Sequence, residues 1–228
     1  MSVDSFHKTV REKFSAAAET YADLCSVQMN VARALADRLP LKDGMRVLDV
    51  GAGTGTLAAE IRRRCGDARV VALDAAAEMT AVGARRYGDV VWLQGDALAL
   101  PFHESSFDLV MSSSSYQWVA DLPRAFTEAR RVLRRGGRCY ASLFGRATLG
   151  ELFESLQAAG LARGRTDVFE LRRLPSLDDV RAALKAADFR HRGLATETRE
   201  VVFRDLWSLL KWLKGIGANG LTRRFFLG

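Results

Sequence analysis

Residues Val47 to Gly55, VLDVGAGTG, decide the fold. Val47, Leu48 and Val50 are strand formers, and Asp49 sits among them near the strand's end. Glycines at 51, 53 and 55 free the backbone to turn sharply and let another molecule approach it closely. From Thr56 the pattern changes to TLAAEIRRRCG, with Leu57, Ala58 and Ile61 at helical spacing. Strand, glycine turn and helix form the opening unit of a nucleotide-binding α/β sheet.

The glycine spacing separates two ligands. A dinucleotide fingerprint wants GxGxxG; here the third glycine comes one position early, and Asp49 precedes the first by two residues. A carboxylate beside the turn suits S-adenosylmethionine (SAM), a cation with a free amino group and no phosphate. A turn built for pyrophosphate relies on the helix N-terminus instead. The residues DVGAGTG resemble the first motif of the class I SAM-dependent methyltransferases, although an ordinary strand-helix turn would also accept them.

Downstream residues keep to that pattern. Arg69 to Asp74 (RVVALD) reads as a second buried strand, with Asp74 nineteen residues after Gly55. At that spacing a carboxylate meets the ribose hydroxyls of a bound adenosine; capping the helix of AAAEMTAVGARR is an equally sound role. Met79 in that helix is a candidate to pad the adenine. A third strand, Val90 to Leu93, leads to Gly95, Asp96 and Ala97. Asp96 is placed for the adenine amino group and Ala97 for the ring, or else Asp96 simply caps a turn. Phe107 to Met111 is a fourth strand, with Ser112 to Ser115 at its C-terminal end, where open α/β sheets hold ligands. Tyr116, Gln117 and Trp118 follow, as a substrate wall or as core. A helix through Leu133 stops at Gly136-Gly137, its outer face carrying Arg124, Arg130, Arg131, Arg134 and Arg135; such a run is ordinarily a solvated face. A fifth strand spans Arg138 to Phe144.

The flanks are mainly helical. Residues 4–39 carry Phe14, Ala17, Ala18, Tyr21, Val27, Val31, Leu35 and Leu39 at helical steps, ending at Pro40 and Gly44. They either cover the core or form a lid with Tyr21 and Gln28 facing the ligand. After the fifth strand come helices over Leu149 to Leu161, from Ser176 as N-cap, and over Asp205 to Leu213, with a sixth strand from Thr198 to Phe203. We expect a single domain over 1–228: a helical lid (1–40), a SAM-binding core (41–144), and a substrate and lid region with the sixth strand (145–228).

Composition limits the functional classes. The chain has 228 residues, 48% hydrophobic, with a net charge of +7. Residues 145–228 hold 15 Lys+Arg against 10 Asp+Glu. That excess suits an acidic protein or acidic small substrate better than nucleic acid, since no aromatic-basic interleaving accompanies it. No apolar run nears the ~20 residues of a membrane helix, and the N-terminus lacks a signal-peptide core, so a cytoplasmic enzyme is expected. Cys25, Cys65 and Cys139 stand apart without a CxxC, and His7, His103 and His191 are isolated, so no metal site is expected.

Asp49 with its glycines, Asp74, Gly95-Asp96, Phe107-Asp108 and Leu133 to Gly137 together resemble a Rossmann-like class I methyltransferase over about residues 40–144. The flanking FSAAAETY with Gln28, then Gln117-Trp118, and above all LKWLKGIGANG (Leu210 to Gly220) resemble the malonyl-acyl-carrier-protein O-methyltransferases of biotin synthesis. The resemblance implies SAM as methyl donor, with contacts from Gln28, Asp49, Gly51, Ala52, Gly53, Gly55, Asp74, Ala75, Met79, Asp96, Ala97, Ser112 and Gln117. It implies a malonyl group carried by an acidic acyl carrier protein or coenzyme A, with Tyr21, Trp118 and Lys214 as pocket candidates. A quinone-type methyltransferase and a non-catalytic SAM binder are the alternatives. Ser113 stands where the family usually has Asn. The family also ends in an antiparallel strand between strands five and six, which this sequence, ending at Gly228, is expected to lack.

Overall fold

The structure, a computed structural model, describes residues 3–162, 174–190 and 193–218. Five strands form one parallel sheet: β1 (Arg46–Val50), β2 (Arg69–Asp74), β3 (Val91–Gln94), β4 (Phe107–Ser113) and β5 (Leu133–Ser142), in the order β3-β2-β1-β4-β5. Chain order reverses between β1 and β4, which opens a crevice at their C-terminal ends. β1 is registered with Val47 opposite Val70 and Leu109, and Asp49 opposite Ala72 and Met111.

Alternation along β1 divides the core. Val47 faces a cluster with Leu35 and Leu39 beyond the sheet and with Leu57 and Ile61 of α3 (Thr56–Arg64). Leu48 and Val50 face Ala125, Phe126 and Ala129 of α5 (Leu122–Val132) and Val180 and Ala183 of α7 (Leu177–Ala186). Period-2 strands therefore bury both faces, as a parallel sheet requires. Asp121 caps α5 by accepting the Arg124 N–H, and Ser176 and Asp179 form a reciprocal capping box on α7.

The N-terminal helices are α1 (Val3–Leu24) and α2 (Ser26–Ala36), parted at Cys25. Ala18 of α1 packs against Ala76, Met79 and Val82 beside α4 (Ala77–Arg86), with Phe14 and Tyr21 alongside. α6 spans Gly150–Ala162. α8 (Leu206–Gly215) lies on α1, its Trp212 Nε1 donating to Leu24 O at 2.8 Å. Among the described residues no helix is long and apolar enough to cross a membrane.

Two expectations are corrected. The fifth strand begins at Leu133, not Arg138: Leu133 pairs with Phe107, then Arg138 pairs with Leu109, so Arg134 to Gly137 bulge out. Gly136 turns the bulge at φ +79°. The sixth strand over Thr198 to Phe203 is absent: these residues join no sheet, and Val202 is 94% exposed. A strand exists only through a ladder partner. The neighbour implied by the resemblance is not among the described residues, where β5 is the edge.

Candidate functional site

The crevice is lined first by the glycine turn. Gly51 and Ala52 N–H both donate to Leu73 O, at 2.7 and 3.0 Å, which ties the turn to β2. Gly51 has φ +70°, and a Cβ there would lie 1.8 Å from Ser115 Oγ. The turn and the serine run after β4 thus touch, and only glycine permits it. Gly55 starts α3 at φ +94°, and a Cβ would meet the Trp92 ring at 2.5 Å. Its space is taken by packing on the side of β3. Gly53 faces Tyr21, whose ring would lie 3.7 Å from a Cβ.

Asp74 holds this turn in place. Its Oδ2 accepts the Gly53 N–H at 2.8 Å and its Oδ1 accepts the Ala76 N–H at 2.9 Å. Burial pushes its pKa up, while the amides of Ala76 and Gly53 oppose that rise. Asp74 does not cap α4, which has Ala76 at its N-cap position and no side-chain cap. Its bonds brace the turn, and a carboxylate with about four acceptor positions still has room for another donor.

Asp49 is the opposite case. It is 1% exposed, and neither oxygen has a hydrogen-bond partner. Burial, with the Asp74 charge second, pushes its pKa up to about 8. The other buried side-chain polar atoms without partners, among the described residues, are Gln28 Oε1, Ser112 Oγ, Ser114 Oγ, Tyr116 OH and Gln117 Oε1. Apart from Gln28, on the first turn of α2, all belong to the C-terminal ends of β1 and β4 or the turn after β4. Buried polar groups are otherwise nearly always paired. The set is dominated by acceptors: a carboxylate, two amide oxygens and hydroxyls. It suits a ligand rich in donors and positive charge.

An aromatic wall borders the turn. The Phe14 ring lies edge-on to Tyr21 at 6.3 Å and to Trp118 at 5.5 Å. Tyr21 and Trp118, far apart in sequence, are thus joined through Phe14. The Tyr21 hydroxyl is pushed to higher pKa by burial first, then by Cys25 and Asp74. Trp118 ends a 3₁₀ turn, Tyr116–Trp118, in which Gln117 Nε2 donates to Ser114 O at 2.7 Å.

The remaining candidates are placed less centrally. Met79 is buried under α1. Ala75 is exposed, and its carbonyl accepts from Gln94 Nε2 at 3.2 Å. Asp96 is exposed and accepts the Leu98 N–H at 2.8 Å, while Ala97 is half-buried. Lys214 is exposed in the last turn of α8. Just beyond it, a Cβ on Gly217 would lie 3.1 Å from the Phe14 ring, so the KGIG stretch abuts the aromatic wall.

Sequence reasoning placed Phe14 on the N-terminal helix, Ser114 in the run at the ligand end of β4 and Tyr116 in a candidate wall, but gave none of the three a role of its own. Phe14 lies seven residues before Tyr21, a spacing that already placed both on one helix face. Nothing in the sequence distinguished Ser114 or Tyr116 from their neighbours. The arginine run, which the structure divides between α5 and the β5 bulge, is also not a uniformly solvated face. Arg131 pairs with Glu128, and Arg134 pairs with Asp108 at 2.6 Å. Among the described residues no cluster of three or more His, Cys, Asp or Glu could hold a metal.

A Methyltransferase domain profile matches residues 48–141, and a protein-L-isoaspartate O-methyltransferase profile matches residues 3–90. The malonyl-[acyl-carrier protein] O-methyltransferase of Geobacter sulfurreducens is 36% identical, over 94% of this chain and 82% of that protein. The chain belongs to the malonyl-[acyl-carrier protein] O-methyltransferase family. It is thereby a SAM-dependent methyltransferase. The family's enzyme from Herminiimonas arsenicoxydans is 38% identical over 92% of this chain and 78% of its own length. The bifunctional biotin biosynthesis protein BioHC of Cellvibrio japonicus is 34% identical, and the chain spans 42% of that longer protein. Among solved structures, a putative methyltransferase bound to the Trm112 activator of Haloferax volcanii aligns with TM-score 0.62 and 26% identity, over 78% of this chain and 75% of that one. Phosphoethanolamine N-methyltransferase 2 of Haemonchus contortus, solved with SAM, aligns with TM-score 0.57 and 27% identity, over 70% of this chain and 36% of that one.

Proposed function

We propose that this chain, acting in the cytoplasm, methylates the free carboxylate of a malonyl thioester on an acyl carrier protein, giving the methyl ester that primes biotin synthesis. The observation that carries the reading is the cluster of unpaired acceptors around Asp49, which answers the cationic, donor-rich methyl donor, taken with the names of the family's enzymes. Bound SAM would supply an electrophilic methyl group.

This chain's residues would do the rest. Asp49 and Gln117 Oε1 would accept from the amino-acid end, with Ser112 beneath it. Asp74 would take the ribose hydroxyls on its remaining acceptor capacity. Asp96 and Ala97 would face the adenine, with Met79 beside it; Gly51, Ala52, Gly53, Gly55 and Ala75 would shape the turn and Gln28 would close it from α2. A malonyl carboxylate with an ordinary pKa of about 4 is ionised at neutral pH. Transfer to it therefore needs alignment and exclusion of water rather than a general base. Residues 1–40 would form the lid, with the Phe14, Tyr21 and Trp118 wall excluding water. Lys214 would lie at the substrate side, and the basic last third of the chain would meet the acidic carrier.

Incubation with methyl-labelled SAM and malonyl-carrier protein tests this, with malonyl-CoA, free malonate and a quinone-type acceptor in parallel. Label appearing as a base-labile ester on the malonyl-carrier protein is expected. Label on the quinone acceptor alone, or on none of the acceptors while SAM still binds, would overturn the substrate assignment.

A further inference from the structure

We infer that Arg124, Glu128 and Arg131 of α5 are positioning residues that clamp the turn after β3 and thereby set discrimination for the adenine amino group. The inference rests on the proposal above that Asp96 and Ala97 face the adenine.

The three side chains are spaced four and three residues apart, on one face of α5. Each bonds to the backbone of residues 98–102. Arg124 Nε donates to Leu98 O at 2.8 Å. The Leu100 N–H donates to Glu128 Oε2 at 2.8 Å. Arg131 donates from Nη1 to Phe102 O at 2.7 Å and from Nη2 to Leu100 O at 2.9 Å. Glu128 and Arg131 also pair with each other through two contacts of 2.8 Å. That fixes both rotamers, and the Arg131 guanidinium holds the Glu128 carboxyl below the usual range.

The clamp acts where the sheet does not. β3 ends at Gln94; the Gly95 N–H still donates to Asp74 O at 2.9 Å, but beyond it the turn's own backbone bonds are local ones, Ala99 N–H to Asp96 O and Phe102 N–H to Leu100 O. Within that turn Asp96 Oδ1 accepts the Leu98 N–H, and the next group along, Leu98 O, is the one held by Arg124. Leu100, whose N–H and carbonyl are both held, is buried, and Leu98 and Phe102 are half-buried, so the charged side chains satisfy groups that water reaches poorly. They also add a fixed position, because bonds to ionised groups are shorter and stronger than neutral ones. An acceptor that tells a 6-amino purine from a 6-oxo purine works only if it is held still.

The test is calorimetric binding of S-adenosylhomocysteine and of its 6-oxo counterpart, S-inosylhomocysteine, to the full chain and to Arg131→Met, Arg131→Lys, Arg124→Met and Asp96→Asn. The native chain should prefer the 6-amino ligand. Arg131→Met should weaken that ligand about tenfold, or ~1.4 kcal/mol, and leave the 6-oxo ligand nearly unchanged, so the preference collapses. Arg131→Lys should recover part of it, and Arg124→Met should show a smaller loss of the same kind. In turnover, the KM for SAM should rise while kcat holds. If Asp96→Asn abolishes the preference but both arginine variants keep it, the clamp has no such role. If Asp96→Asn itself keeps the preference, the adenine assignment fails and the clamp inference falls with it. Arg124→Met removes a single bond, so it reports even if Arg131→Met does not fold.

Discussion

Asp49 and Asp108 lie on neighbouring strands of one sheet and live under opposite rules. Asp108, near the start of β4, accepts the Arg46 N–H at 2.8 Å and an Arg134 N–H at 2.6 Å. It borders a basic cleft of about 310 Å³ at the N-terminal edge of the sheet, among Lys42, Met45 and Arg138. Asp49, near the end of β1, is enclosed, and neither of its oxygens has a hydrogen-bond partner among the described residues. One carboxylate joins strand to bulge; the other is a buried polar group left unpaired, an arrangement that folding alone would not favour and that burial answers by raising its pKa. The difference teaches that an open cleft with cations does not by itself mark the reactive end of this sheet. The unsatisfied end does.

Substitution should separate the two most sharply. Asp49→Asn should leave the melting temperature unchanged or raise it, while SAM affinity falls by ~10- to 100-fold, the worth of a hydrogen bond to a charged group. Asp108→Ala should do the reverse, costing about 1–2 kcal/mol of stability with SAM affinity intact. Melting curves and calorimetry on both variants check this; loss of stability in both would erase the distinction. Asp74→Ala lies between them. It strands the Gly53 and Ala76 amides, so stability and affinity should fall together, each by about 1–3 kcal/mol.

A pH series sharpens the same contrast. The Asp49 pKa rises from its ordinary 3.8 to about 8 in the folded chain. Between those values the folded state holds a proton that the unfolded state has released, so this residue's contribution to stability falls as pH rises through the window. Binding of a cation needs the ionised form. SAM affinity should therefore climb up to about tenfold per pH unit from 6 to 8 and flatten above. Protons should be released to the buffer on binding at pH 7, measurable by calorimetry in buffers of differing ionisation enthalpy. Asp49→Asn should abolish both effects.

The smallest expected effect concerns the two basic surfaces. If the carrier meets the side of α8, Lys214→Glu should raise the KM for malonyl-carrier protein a few-fold, and added salt should lower kcat/KM. Arg138→Glu, at the far edge, should change neither. Equal effects from both would mean that net charge, not location, governs the encounter.

Much of this was legible because it depends on local physics. Strand alternation over 46–50 and 69–74, the glycines of the turn, and the Ser176 cap are properties of short stretches, and they appear where their residues demand. Asp74 could be read as a ligand-facing acid or as a cap because its spacing served both; the structure sets the cap aside, since α4 has no side-chain cap and Asp74 binds the Gly53 and Ala76 amides instead. The errors share a different cause. Thr198 to Phe203 has the composition of a strand, but a strand depends on a neighbour that a single stretch cannot supply. The arginines from 124 to 135 looked alike in sequence, yet Arg131 of α5 spans two carbonyls of the turn after β3 and Arg134, in the β5 bulge, binds Asp108.

The sequence by itself determined the doubly covered parallel sheet, its glycine turn and the family, because periodicity, turn chemistry and motif spacing are written along the chain. Only the tertiary structure decided which polar atoms are paired. Pairing is set by what arrives from elsewhere: Phe14 between Tyr21 and Trp118, the Ser115 side chain against Gly51, and no hydrogen-bond partner for the Asp49 oxygens among the described residues. A carboxylate's chemistry follows from its surroundings, and in this chain those surroundings come from helices and strands far away in sequence.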